Sequence, residues 1–384
     1  MMQEQINTCE AQLGAGDLVA AQATLTELLS QFPQEATVQL LAGRFYYAKG
    51  EQIRAEDYFR QVLRSAAQPR LLAMARQGLQ EITRDRHNAH QKRATVIASQ
   101  DQGRGFLVLF PLDEAQRQAA AAKYARMFNL DAYTARYQLA ARTPKILRAG
   151  KYAEMQAYAE EMTACGIPCA ATSLTAVAAV PVYNVQYFQQ ISPTQFTGIC
   201  TPDSPAPEIT VTPSQILRRV LGTLPTFGQV LDFNGKLQII RKQQILDRVR
   251  VCDFHVIGSG TTSQAQLMPD HPNSASANSP GYIIRIHDNG YEFDQGVKLP
   301  IKQALPHIPP TVQERWAALD SLVRQAIPNL PTIDSLPVFG EQLLVYEELL
   351  ELIHPHLNLA RLQPSFWDHA FHVYSTMIIL GNWV

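Results

Sequence analysis

Residues recur in this chain at a fixed interval of 34, and that interval limits the N-terminal fold more than any other feature. Gly16 pairs with Gly50, Ala21 with Ala55, Leu25 with Phe59 and Leu29 with Leu63. Cys9 and Gly43, both small, stand in the same relation. Repeats of this length cannot bury an apolar face alone and must stack on their neighbours. The spacing predicts helical hairpins with turns at Gly16 and Gly50. Pro33 ends the first hairpin, and Pro69 opens a lone capping helix over about 70–83.

The period and residue types together resemble the tetratricopeptide repeat over residues 2–83. Gly43 stands at that family's helix crossing, with Tyr46 and Tyr47 following on the same helix. The resemblance implies a concave helical groove that receives a peptide or helix of a partner. Gly16, Ala21, Leu25, Gly43, Tyr46, Tyr47, Gly50, Ala55 and Phe59 are therefore the expected groove and packing residues.

After a polar stretch read as a linker or a frayed helix end (84–104), residues 105–175 alternate as β-α-α-β-α-β. The elements are a buried strand from Phe106 to Leu112, two helices, a strand at 143–150, a third helix ended by Gly166, and a strand at 167–174. This order is similar to the C-terminal domain of the bacterial ribosomal stalk protein, on Leu130, Ala135-Arg136, Pro144-Lys145-Ile146-Leu147 and Gly166. Tyr133, Tyr137, Gln138 and Arg142 replace that family's lysine-rich factor-binding face, so the resemblance implies the fold without the translation-factor partner.

Residues 175–191 read as extended. Residues 180–300 read as a mostly antiparallel β domain of no recognised family. A strand at 209–212 and an amphipathic helix near 214–222 open it. Hairpin turns are expected at Asn234-Gly235 and Asn289-Gly290, and a Ser-, Asn- and Pro-rich loop at 259–281 reads as disordered. Residues 311–384 form a helical region. Trp316, Leu319, Leu322 and Val323 share one helix face, a second helix covers 340–357, and Ser365 caps the last. The fold class expected is multidomain α+β: N-terminal repeat hairpins, a small βααβαβ domain, and a β domain capped by C-terminal helices.

Several function classes are disfavoured. Net charge is −1 over 384 residues, so no global field recruits nucleic acid or an anionic membrane. No signal-like segment and no 18-residue apolar run appear. Five scattered cysteines suit a reducing compartment. Gly150-Lys151 lacks the first Gly and the Ser/Thr of a phosphate loop, and Gly258 and Gly260 lack a third glycine. His354, His356, His369 and His372 are the one metal-ligating constellation. His369 and His372 lie three apart on a helix beside Asp368, with Glu348 or Glu351 as a further ligand; the competing reading is helix-end and core histidines. The sequence thus predicts a cytoplasmic bacterial scaffold or assembly factor, non-enzymatic and without cofactor. Its partner is another protein or a second copy. The alternatives are a metal-dependent hydrolase at the four histidines and a ribosome- or nucleic-acid-associated factor.

Overall fold

A computed structural model describes residues 2–98, 102–128, 130–233, 235, 238–258, 281–301, 309–357, 359, 361 and 364–381. The chain forms two compact units, Met1–Val96 and Ile97–Val384.

The first unit is helical: α1 (Met2–Gly14), α2 (Leu18–Gln31), α3 (Ala36–Ala48), α4 (Gln52–Ser65) and α5 (Pro69–Ala98). Helix starts repeat at the sequence period, 34 positions apart from 2 to 36 and from 18 to 52. Gly16 (φ 76°) and Gly50 (φ 83°) take the left-handed conformation that the inter-helix turns need. Asp17 then caps α2 by accepting from Ala20 N–H at 3.0 Å. Ile6, Cys9, Ala21, Leu25, Leu28, Leu41 and Phe45 make one core, and Leu40, Ala55, Phe59, Val62, Ala75 and Ile82 the next. Phe59 is the central filler. A Cβ added at Gly43 would lie 2.6 Å from its ring, and one at Gly78 2.5 Å. Two glycines on α3 and α5 therefore make the slot that holds the ring.

Of the two readings of 84–104 the linker is corrected and the helix end holds: α5 runs on to Ala98. Residues 84–98 lack apolar periodicity but contain no Gly or Pro, and extending a nucleated helix costs little. Two contacts anchor the extension. Arg86 donates to buried Glu56 at 2.7 Å, and Tyr47 Oη donates to Asp85 at 2.5 Å.

The second unit begins with β1 (Arg104–Leu109), α6 (Glu114–Phe128), α7 (Ala132–Gln138), β2 (Lys145–Lys151), α8 (Tyr152–Ala164) and β3 (Cys169–Ser173). The strands form an antiparallel sheet in the order β2-β1-β3. β1 is buried on both faces: Leu107 and Leu109 meet α6–α8, whereas Phe106 and Val108 face the C-terminal helices. It stops at Leu109, short of the expected Leu112, because Pro111 has no N–H for a ladder and Leu112 N–H turns to Ala140 O (3.0 Å).

There follow α9 (Leu174–Ala179), β4 (Val182–Ile191), β5 (Phe196–Cys200), β6 (Glu208–Val211), β7 (Ile216–Phe233), β8 (Ile239–Val256), β9 (Tyr282–His287), α10 (Val312–Ala326), β10 (Thr332–Ile333), α11 (Leu336–Leu343), α12 (Glu347–Leu350) and α13 (Phe366–Gly381). The large sheet has the order β10-β7-β8-β9-β4-β5-β6, with β4/β9 and β10/β7 parallel and its other pairs antiparallel. One face packs on α13 and the other on α10. α13 thus lies between the two sheets, with every residue from Ala370 to Ile378 buried. The three regions read from sequence over 105–384 share these cores.

Four further expectations are corrected. The helix near 214–222 is the start of β7: Val220 and Leu224 face α13 while Leu221 faces α10, a period of two. The extended run expected from 175 begins as helix α9, capped by Ser173, whose Oγ accepts from Ala176 N–H at 3.1 Å. Asn289-Gly290 makes no hairpin. Gly290 and Tyr291 N–H both return to His287 O, and the chain then follows β4, with Glu292 N–H on Gln186 O at 2.8 Å. The buried Tyr291 side chain, whose hydroxyl accepts from Phe188 N–H at 2.9 Å, holds that path. The helix over 340–357 breaks into α11, a tight turn at 344–346 and α12, which brings Tyr346 onto Phe106 (ring centroids 5.8 Å). Asn234 and the loop segment 259–280 lie outside the described residues. The strands flanking the first turn do pair, ending at Phe233↔Ile239.

Beyond Pro225 and Arg248, β7 and β8 continue as a two-stranded ribbon with no third strand among the described residues. Leu231, Phe233 and Ile239 are about two-thirds exposed there (72%, 64% and 66%).

Gly78→Val should loosen the slot for Phe59 at a cost of roughly 1–3 kcal/mol, as overpacking does. Hydrogen exchange of the full chain should speed up in peptides from α3–α5 and stay unchanged in β8 and β9. Unchanged exchange in α3–α5 would mean that Phe59 is not confined as described.

Candidate functional site

The helical unit carries a groove of about 450 Å³ on the side formed by α1, α3 and α5. Its lining repeats at the sequence period. Glu10, Arg44 and Gly78 are equivalent positions 34 apart, as are Leu13, Tyr47 and Glu81. Phe59, Met74 and Gln77 complete the floor. Arg44 and Glu10 approach only to 3.7 Å with both side chains about half exposed (50% and 47%), a loose pair that leaves both charges free to meet a ligand. The hydroxyl of Tyr47 is fixed on Asp85, and that hydrogen bond raises its pKa. Tyr47 is therefore a rigid, largely apolar wall.

Of the nine residues expected to pack or line a groove, Tyr47 and Phe59 reach it. Gly16 and Gly50 make turns; Ala21, Leu25 and Ala55 are core; Gly43 seats Phe59. Tyr46 stacks on Tyr58 (centroids 5.5 Å, planes 3° apart) under the Arg54 guanidinium. Glu10, Leu13, Arg44, Met74, Gln77 and Glu81 were missed. The signal in the sequence is the same 34-residue period read at outward positions, Glu10/Arg44 and Leu13/Tyr47/Glu81.

The second polar centre is the layer between the large sheet and α13. In strands buried on both faces, side chains alternate between two cores. On the α13 side, β8 places Asp253 and His255, β9 places Arg285, and β4 places Asn184. Register sets Asn184, Arg285 and Asp253 side by side across three strands. Arg285 and Asp253 are both 0% exposed and form a two-point ion pair, Nε–Oδ1 and Nη2–Oδ2 each 2.7 Å. Arg285 Nη1 donates to Pro355 O (2.7 Å) and His356 O (3.3 Å), and the guanidinium lies 5.0 Å from the Phe371 ring centroid. Its charge therefore holds the segment after α12 onto β9. That segment needs holding, because His356 has φ 49°, a conformation costly for a residue with a Cβ.

The structure brings three of the four candidate histidines together. The rings of His354 and His356 are 4.6 Å apart, and those of His356 and His372 5.0 Å. His354 Nδ1 is already engaged as acceptor from His356 N–H (3.2 Å), and His369 packs on Phe366 (5.7 Å). Glu348 and Glu351 are exposed. Among the described residues no group of three or more His, Cys, Asp or Glu side chains is arranged to hold a metal ion. The five cysteines, Cys165 and Cys169 included, are free, and no described helix is long and apolar enough to cross a membrane.

Burial governs the titration of this layer. Desolvation, reinforced by Arg285, pushes His372 well below the ordinary histidine value. Desolvation brings His255 and His356 down to about 4. Asp368 moves the other way, up to about 6, because burial outweighs the Arg361 cation 2.9 Å away. Among the described residues neither ring nitrogen of His372 has a hydrogen-bond partner, and His255 satisfies only Nε2, against Ser375 Oγ at 3.0 Å. At neutral pH His255, His356 and His372 are uncharged side chains. Comparison with protein-family models, curated proteins and solved structures finds no match for this chain.

Arg285→Met should destabilise the second unit by about 3–5 kcal/mol, since Asp253 would keep an uncompensated buried charge. The double variant Arg285→Met with Asp253→Leu should recover part of that loss; denaturant unfolding measures both. A free-energy cost for the single variant below about 1 kcal/mol would contradict a closed ion pair.

Folded His255, His356 and His372 bind fewer protons than their unfolded forms, so stability is full above about 6.5 and falls as pH drops toward 4. Asp368 contributes the opposite slope between its ordinary 3.8 and about 6. Burial lowers His287 (to about 4) and His369 as well and raises Asp288, so five histidines against two carboxyls give a net loss on acidification, read as a falling melting temperature. His372→Leu should flatten the curve and cost little at neutral pH, because it removes two unpartnered polar atoms. An acid slope identical to that of the unsubstituted chain would show that His372 is not buried neutral.

Proposed function

We propose that this protein is a non-enzymatic interaction protein whose N-terminal helical unit binds a peptide segment of a partner in the α1/α3/α5 groove. The supporting observation is that two sets of equivalent positions, Glu10/Arg44/Gly78 and Leu13/Tyr47/Glu81, converge on one groove. A repeat array produces such a surface when successive helices present the same face. The tetratricopeptide reading of residues 2–83 belongs to this proposal. It rests on the period, the left-handed glycine turns and the Gly43–Phe59–Gly78 contact.

The groove also suggests the partner's chemistry. Leu13, Tyr47, Phe59 and Met74 offer an apolar floor, into which Gly78 lets the Phe59 ring seat. Glu10 and Glu81 set two carboxylates against the single cation of Arg44. A segment carrying one apolar anchor and a lysine or arginine fits this balance. Binding of a basic segment would also release Glu10 from its loose pairing with Arg44.

A photo-crosslinking residue at Gln77, inside the groove, should capture a discrete partner in cells of the source organism. The same residue at Val19, which is 84% exposed on α2, should not. Glu10→Lys with Glu81→Lys should abolish the Gln77 adduct, and Arg44→Ala should preserve or increase it. An adduct of twice the chain mass would make the partner a second copy. Equal capture from both positions, or capture indifferent to the charge reversal, would refute the groove as the docking surface.

A further inference from the structure

α10 does not seal completely against the large sheet. Between them lies a cavity of about 230 Å³, bounded by Leu221 of β7, Cys252 and Phe254 of β8, Ile286 of β9, and Trp316 and Val323 of α10. Every one of these side chains is apolar or weakly polar. Burial pushes the Cys252 thiol far up, so it stays protonated and acts as a small apolar wall.

Two charged groups of opposite sign join this lining. Arg219, 4% exposed, belongs to the cavity wall together with Asp320. Its Nε donates to Thr332 Oγ1 at 2.8 Å, its Nη1 pairs with Asp320, and its Nη2 makes no hydrogen bond among the described residues. Asp320 also accepts from Arg324 Nε at 2.8 Å. Arg324, with its side chain 64% exposed, lies outside the cavity wall, so one guanidinium faces one carboxylate in the lining, and Arg219 Nη2 is the donor left to meet a ligand.

We propose that this cavity binds a small aromatic monocarboxylate. The size argument is direct. An apolar protein cavity of about 150 Å³ stays dry and takes up benzene, so 230 Å³ accommodates one aromatic ring with a short polar extension. Protein interiors are close-packed, and voids much larger than a water molecule are few. Ligand sites combine an apolar lining with a small number of placed polar groups, and here the polar group is a buried guanidinium with an unengaged nitrogen. Arginine meets carboxylates by paired N–H donors. The ring lies among Leu221, Phe254, Ile286 and Trp316, and the carboxylate accepts from Arg219. A polypeptide segment would need a longer opening than this cavity offers, and a phosphate would leave the apolar walls unused. The inference does not depend on the peptide groove: no residue is shared between them.

Benzoate and toluene, titrated separately into the full chain, test the proposal. Methyl resonances of Leu221, Val323 and Ile286 should shift saturably with benzoate, and the melting temperature should rise. Toluene should bind more weakly. Arg219→Met should weaken benzoate roughly tenfold or more, as loss of a charge-assisted hydrogen bond does, while leaving toluene nearly unchanged. Ala317→Leu, which adds bulk at the exposed rim of the cavity on α10, should weaken both. No saturable shift at millimolar benzoate would overturn the site. Toluene binding as tightly as benzoate, or benzoate binding indifferent to Arg219→Met, would overturn the carboxylate assignment. The wild-type titration stands even if a variant fails to fold.

Discussion

A guanidinium buried without contact with water has to be supplied with partners by the protein. Arg285 obtains them from three places at once: the carboxylate of Asp253 on the neighbouring strand, two carbonyls of the segment after α12, and the ring of Phe371 on α13. Any arrangement in which α13 docks without that segment strands a charge. The ion pair therefore does less for the depth of the energy well than for its uniqueness. A hydrophobic pair of similar volume would pack as well but would not specify where residues 355–356 must lie. The left-handed backbone of His356 is compatible with the fold because its own carbonyl is one of those partners.

The legible parts of the sequence were those in which one period governed one face. The 34-residue interval located the turns at Gly16 and Gly50 and the fillers at Leu25 and Phe59, and the apolar run from Phe106 marked a buried strand, though not its end. Misreadings arose where local chemistry was ambiguous. Residues 214–222 contain Ile, Leu, Arg, Arg, Val and Leu in an order compatible with either a helix or a strand; only pairing with β8 selects the strand. The charged stretch 84–98 has no apolar face, yet it remains helical because α5 is already nucleated and Glu56 and Tyr47 hold Arg86 and Asp85. Asn289-Gly290 has favourable hairpin chemistry, but the burial of Tyr291 redirects the chain.

The histidines illustrate a different limit. His354, His356 and His372 were candidates by residue type, and the fold does gather them. Their meeting depends on Arg285, which the sequence hides in an apolar strand, "YIIRIH". The available signal was the polar residues spaced two apart inside buried strands: Asp253 and His255 in "VCDFHV", Arg285 and His287 in "YIIRIH". Such spacing puts charge on one face of a strand that has no solvent-exposed face, and a counter-charge must then lie on an adjacent strand.

The ribbon formed by the far halves of β7 and β8 has a consequence for how the chain is handled while it is being made. Its outer edges are unpaired among the described residues, and its exposed face carries Leu231, Phe233 and Ile239. Two strands alone are marginal in water, so this segment borrows its order from the base of the sheet. Strand β8 reaches its neighbour β9 only after the intervening chain has been made. During synthesis the apolar ribbon is thus present before the surface that steadies it. The extra residue in the ladder near Leu246 and the cations of Arg241 and Lys242 are what stand against edge-to-edge aggregation in that interval.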